Sequence, residues 1–143
     1  MKDVENINSF IGEIDYEKLI LAGESLGTSL ASYHSSIVSE DKLVLISPFF
    51  STLDIARKHY WSYPVRLMLR ENYNSGEWVD DVSQAIIIHG AEDKIIPISQ
   101  GKKLFQKINT DNKEFIEIKG AGHNDLYYFP ETFKAISNFL GNL

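Results

Sequence analysis

Residues 18–35 read KLILAGESLGTSLASYHS, and no other stretch of the chain narrows its possible folds as far. Lys18 to Gly23 is a short apolar run ending in glycine, as expected of a strand buried on both faces. Leu26 to Ser35 reads as a helix rich in small residues. Between them Gly23-Glu24-Ser25-Leu26-Gly27 fits G-x-S-x-G, a turn too tight for flanking side chains near the serine. Such a turn pushes the serine hydroxyl out above a sheet, at the N-terminus of the next helix, where free backbone N–H groups stabilise negative charge.

The rest of the chain repeats the strand-then-helix rhythm. Asp41 and Lys42 introduce a second apolar strand, Leu43 to Ile46, stopped by Ser47-Pro48. A third, Ala85 to His89, ends in Gly90, and a fourth covers residues 114–118. Helices are predicted over 4–13, about 99–108 and 131–140, the last with Phe133, Ile136, Phe139 and Leu140 on one face. Residues 49–83 break the rhythm with aromatics, Pro64 and the turn-like Asn74-Ser75-Gly76. One or two short helices are expected there, the better one over 65–71. Alternating strands and helices predict an α/β fold with about four parallel strands and flanking helices, in a single domain over 1–143.

Composition removes several function classes. The chain has 143 residues, no cysteine and a net charge of −6. Disulfides, thiolate metal sites and a cysteine nucleophile are therefore excluded. The acidic balance argues against nucleic acid or an anionic membrane as the main partner. The N-terminus lacks the apolar core of a signal peptide and no run approaches a membrane span, so a cytoplasmic location is expected. No His, Asp and Glu cluster has metal-ligand spacing, so neither a metal nor a cofactor is implied.

A serine needs a base to become nucleophilic. HGAEDKIIP at 89–97 places Asp93 just past the third strand, and GAGHNDL at 120–126 places His123 just past the fourth. Open parallel sheets gather their sites at those strand ends. Ser25, Asp93 and His123 thus arrive in the chain order that this turn requires, with His123 taking the proton and Asp93 orienting the imidazole.

GESLG, HGAEDKIIP and GAGHNDL together resemble the C-terminal half of α/β hydrolases, in the branch with serine aminopeptidases and prolyl-oligopeptidase-like esterases. The resemblance covers essentially the whole chain. It implies Ser25 as nucleophile, Asp93 as acid, His123 as base and the Leu26 N–H as one oxyanion donor. It also implies that residues 49–83 form a short helical lid over the substrate. Family members carry about four strands before the elbow strand, for which residues 1–15 leave no room. The loop that supplies the second oxyanion N–H is among them, and one such donor is worth about 10²–10³ in rate.

Other residues carry competing readings. Glu92 rivals Asp93 as the acid. Asp125 sits too near His123 in sequence to orient it and reads as solvated. His89 reads as a turn or core residue, and His34 and His59 as surface residues. The aromatics of the lid, Tyr60, Trp61 and Tyr63 among them, either line a substrate pocket or pack the lid on the body. Arg66 and Arg70, one helical turn apart, either bind a substrate carboxylate or form a solvated face.

The expected function is a serine hydrolase acting on a small ester, thioester or amide through an acyl-enzyme on Ser25. The alternative is a catalytically weak or inactive remnant serving as a binding or assembly module. With the elbow strand at the sheet edge, strand 18–23 or the uncovered sheet face is expected to associate two copies as a homodimer. Light scattering at micromolar concentration then gives a dimer mass, and a monomer overturns the expectation.

Overall fold

A computed structural model describes residues 2–39, 42–69, 72–80 and 82–141, with the backbone alone at His59. Its four strands, β1 (Ile20–Glu24), β2 (Lys42–Ile46), β3 (Ala85–Gly90) and β4 (Lys113–Ile118), are all parallel. They lie in sequential order, so all four chain exits fall along one edge of the sheet. The fold class is the one that alternation predicts. Six α-helices accompany the strands: α1 (Lys2–Ile11), α2 (Leu26–Ser35), α3 (Thr52–His59), α4 (Val65–Met68), α5 (Ile98–Lys107) and α6 (Pro130–Leu140). Among the described residues no helix is long and apolar enough to cross a membrane.

Side chains alternate across a strand, so each central strand feeds two cores. Leu43, Leu45, Ala85 and Ile87 meet Ala31 of α2 and Leu104 of α5 on one face. Val44, Ile46, Ile86 and Ile88 meet Ile136 and Phe139 of α6 on the other. The small residues of α2 let it lie close to the sheet, with Thr28, Ser29 and Ser32 fully buried. Burying those hydroxyls is tolerable because they are satisfied: Ser32 Oγ donates to the Thr28 carbonyl at 2.7 Å, and Ser29 and Ser75 pair at 3.2 Å.

Three expectations are corrected. First, β1 is not buried on both faces. It has one strand neighbour among the described residues, and of its residues only Leu21 is buried while Ala22 is exposed. Second, the buried face of α6 is centred on Thr132 rather than Phe133, which is exposed and packs on Tyr127. Thr132 is drawn inward because its hydroxyl donates to the Leu126 carbonyl at 2.7 Å. Third, the better helix of segment 49–83 is α3. Ser51 caps it, its Oγ accepting the Asp54 N–H at 3.0 Å, while α4 closes after one turn as Leu69 becomes extended. Residues 70 and 71, the end of the predicted helix, lie outside the described residues.

His34 is also no surface residue: it is buried against the sheet, as is His89. Burial lowers the pKa of both below the ordinary histidine value. The unfolded chain, whose histidines titrate near 6.5, then takes up protons first on acidification. The stability is therefore full above about pH 6.5 and is lost as the pH falls toward the lowered folded-state values. Urea unfolding is expected to show a lower midpoint at pH 5.5 than at pH 7.5 with an unchanged slope. An equal midpoint at both would contradict it.

Candidate active site

The site begins with a strained residue. Ser25 follows β1 with φ 50, a left-handed conformation uncommon outside glycine, and neighbouring structure holds it there. Its N–H donates to the Ile46 carbonyl of β2 at 2.9 Å, continuing the sheet ladder one residue past the strand. Its carbonyl accepts the Thr28 N–H at 3.1 Å and the Thr28 hydroxyl at 2.5 Å. Ser47, at the end of β2, repeats the conformation with φ 48 and donates its N–H to Ile88. The two flanking glycines do different work. A Cβ on Gly23 would run into the Gly27 carbonyl and come within 2.8 Å of Thr28 Cα, whereas one on Gly27 meets nothing. Only Gly23 is sterically required, which corrects the expectation for Gly27.

The candidate acid, Asp93, comes from the turn after β3. Its side chain is fully buried, and its Oδ1 accepts the N–H groups of Ile95 and Ile96 at 2.9 and 2.8 Å. Those donors leave Oδ2 to accept from His123 Nδ1 at 2.7 Å. Glu92, the rival, is exposed and unlinked to His123. His89 pins the same turn: its Nε2–H donates to the Ile96 carbonyl at 2.8 Å and stands 3.5 Å from Asp93 Oδ2. This is the turn role read from the sequence. Helix α5 reaches His89 because Gly101 has no Cβ, which would fall 2.5 Å from Nδ1.

The candidate base, His123, comes from the loop after β4. His123 Nε2 lies 3.0 Å from Ser25 Oγ, completing an unbroken chain from Ser25 through His123 to Asp93. With Nδ1 donating to a carboxylate, Nε2 is the lone-pair nitrogen facing the hydroxyl. Gly90 allows the loop this close, since a Cβ there would lie 2.6 Å from the Gly122 carbonyl. Asp125 is not simply solvated: half-buried, it accepts the Gly122 N–H at 2.6 Å and ties the base of the His123 loop.

Two residues of this assembly have no signal in the sequence. Tyr127 donates its hydroxyl to Glu24 Oε2 at 2.8 Å, joining the residue before Ser25 to the loop that carries His123. Burial first, then Glu24, pushes the Tyr127 hydroxyl up to about 12, so the donor keeps its proton at neutral pH. Glu24 occupies a variable position of G-x-S-x-G, and only the folded chain brings Tyr127 to it.

The lid aromatics divide between the two readings. Phe49 is buried, Phe50 packs on the core and Trp78 stands edge-on to Tyr33 at 5.3 Å, all fastening the lid to the body. Tyr60 and Tyr63 instead line an apolar cavity of about 360 Å³ with Ala56, Val65, Met68 and Leu69. Trp61 lies outside it, exposed. Arg66 is exposed, and Arg70 lies outside the described residues, as does the side chain of His59. Among the described residues no group of three His, Asp or Glu is placed to hold a metal ion.

The likeness to known proteins runs in one direction. No protein-family profile matches the chain. An uncharacterized protein of Mycobacterium tuberculosis (strain ATCC 25618 / H37Rv) is 31% identical over 114 residues, covering 79% of this chain and 40% of that protein. Alpha/beta hydrolase domain-containing protein 17C of Homo sapiens is 26% identical over 134 residues, covering 88% of this chain and 37% of that protein. The chain thus spans about 40% of the length of the curated relatives it matches. Among solved structures, the monoacylglycerol lipase of Paleococcus ferrophilus superposes with a TM-score of 0.69 at 19% identity, over 96% of this chain and 73% of that one. MGS-M2, an alpha/beta hydrolase from a deep-sea metagenome, gives 0.71 at 16% identity, over 98% and 71%. At those identities the structures speak for the fold.

The contrast between the two elbow glycines is directly measurable. Gly23→Ala is expected to unfold the elbow and lower the melting temperature. Gly27→Ala, inside α2, is expected to leave it unchanged or raise stability by about 0.5–1 kcal/mol, the usual gain for alanine in a helix. Equal losses in both variants would overturn the steric assignment.

Proposed function

Starting from a chain that carries part of the α/β-hydrolase fold, we propose that it is a serine hydrolase of carboxylic esters, thioesters or amides. The observation that supports this reading is the unbroken Ser25–His123–Asp93 hydrogen-bond chain, with Asp93 buried and its Oδ1 accepting two backbone N–H groups.

The chemistry follows from the atoms. Ser25 Oγ attacks the substrate carbonyl carbon while its proton passes to His123 Nε2, 3.0 Å away. The carbonyl oxygen takes the negative charge and lies against the Leu26 N–H at the start of α2. Asp93 stabilises the imidazolium by accepting from Nδ1–H. Collapse of the tetrahedral species breaks the bond to the leaving group, which departs with the proton from His123. Water then attacks the acyl-enzyme, giving its proton to His123; collapse breaks the acyl–Oγ bond, His123 returns the proton to Ser25 Oγ, and the acid leaves. The cavity lined by Tyr60 and Tyr63 is assigned to an apolar part of the substrate.

Intact mass after treatment with a fluorophosphonate tests the reading. One adduct is expected on the native chain and none on Ser25→Ala or His123→Ala. Asp93→Asn is expected to label slower by about 10⁴, the cost of losing the correct tautomer. A folded native chain that takes no adduct overturns the hydrolase and favours the binding module.

A further inference from the structure

We propose that the outer face of the lid, from α3 through α4, docks on an anionic lipid bilayer. The inference stands on this face alone and does not depend on turnover at Ser25. Large apolar side chains are presented to solvent here as a group: Trp61 is 86% exposed, Leu67 87% and Met68 65%, with Tyr60 and Tyr63 more than half exposed beside them. Scattered exposed apolar residues are ordinary, but a contiguous set on one short segment marks an interaction surface. Tyr60, Trp61 and Tyr63 line one depression of about 400 Å³, Met68 lines the adjoining cavity with Tyr60 and Tyr63, and Leu67 stands between Arg66 and Met68 on α4.

Charge identifies the partner. The same depression is lined by Arg57 and Arg66, and by no carboxylate. Neither arginine pairs with an acid among the described residues, and Lys58 is exposed next to Arg57. The one acid between residues 52 and 69, Asp54, is already paired with Lys103. The net charge of −6 is a whole-chain sum and hides this cationic, apolar face. Tryptophan and tyrosine suit the headgroup level of a bilayer, leucine and methionine the acyl boundary beneath it, and arginine the phosphates. A second copy of the chain is a poor occupant, because a two-fold contact of this patch on itself would bring four arginines together with no acid in its lining to pair them. The expectation of no membrane partner rests on the whole-chain charge, and the proposal concerns this face alone.

The experiment uses the full chain carrying Ser25→Ala, so that nothing is consumed. It is spun with vesicles of phosphatidylcholine alone and of phosphatidylcholine with one-third phosphatidylserine. Binding is expected on the mixed vesicles, weaker by about tenfold on phosphatidylcholine alone or in high salt. The Trp61 emission should shift to the blue on binding, and Trp61→Phe should abolish the shift, since Trp78 is already packed on Tyr33. Arg57→Ser with Arg66→Ser, and separately Leu67→Ser with Met68→Ser, should each weaken binding by about tenfold, whereas Lys119→Ser on another exposed surface should not. All five side chains are exposed, so circular dichroism should be unchanged. No binding to the mixed vesicles, binding equal on both vesicle types, or losses no larger than that of Lys119→Ser would each overturn the proposal. Fluorophosphonate labelling of the native chain is a separate reading that none of these outcomes touches.

Discussion

Everything at this site depends on one strained peptide. Ser25 holds a positive φ because its N–H is captured by Ile46 on one side and its carbonyl by Thr28 on the other. Strain of this kind costs about 1–3 kcal/mol and persists only where the surroundings over-determine it. Here the surroundings are the sheet ladder and the first turn of α2. Gly23 makes the arrangement possible by letting α2 approach β1 without a Cβ in between. In return the hydroxyl stands clear of its own backbone, where His123 reaches it.

The second half of the site is a stack of loops made possible by absent side chains. Gly101 admits His89 to α5, His89 pins the turn that holds Asp93, and Gly90 admits the loop that holds His123. The buried carboxylate of Asp93 is supported by three donors, so it stays a fixed acceptor rather than a solvated charge. Glu24 and Tyr127 add a further tie between the first and last of these loops. Positions that look like spacers in the motifs are therefore the ones that set its distances.

Several misreadings share one physical origin. Phe133 fits the helical period of α6 as well as Thr132 does, but a hydroxyl with a buried carbonyl to bond can turn a helix by part of a face. His34 sits in a polar stretch, and its burial comes from the close packing of a small-residue helix that periodicity does not register. The lid was harder because its helices are short. Ser51 followed by Asp54 is a readable N-cap signal for α3.

What the sequence by itself determined is the order of things: four apolar runs, the helices between them, and Ser25, Asp93 and His123 each just past a strand. Those features are local, set by period, glycine and turn chemistry, and they survive without knowing any neighbour. Only the tertiary structure decided which glycine is indispensable, and that Tyr127 meets Glu24 across 103 residues of chain. It also decided that Phe49 and Trp78 pack inward while Trp61 and Leu67 face out. Burial belongs to pairs of surfaces, and a single sequence specifies a surface only once its partner is in place.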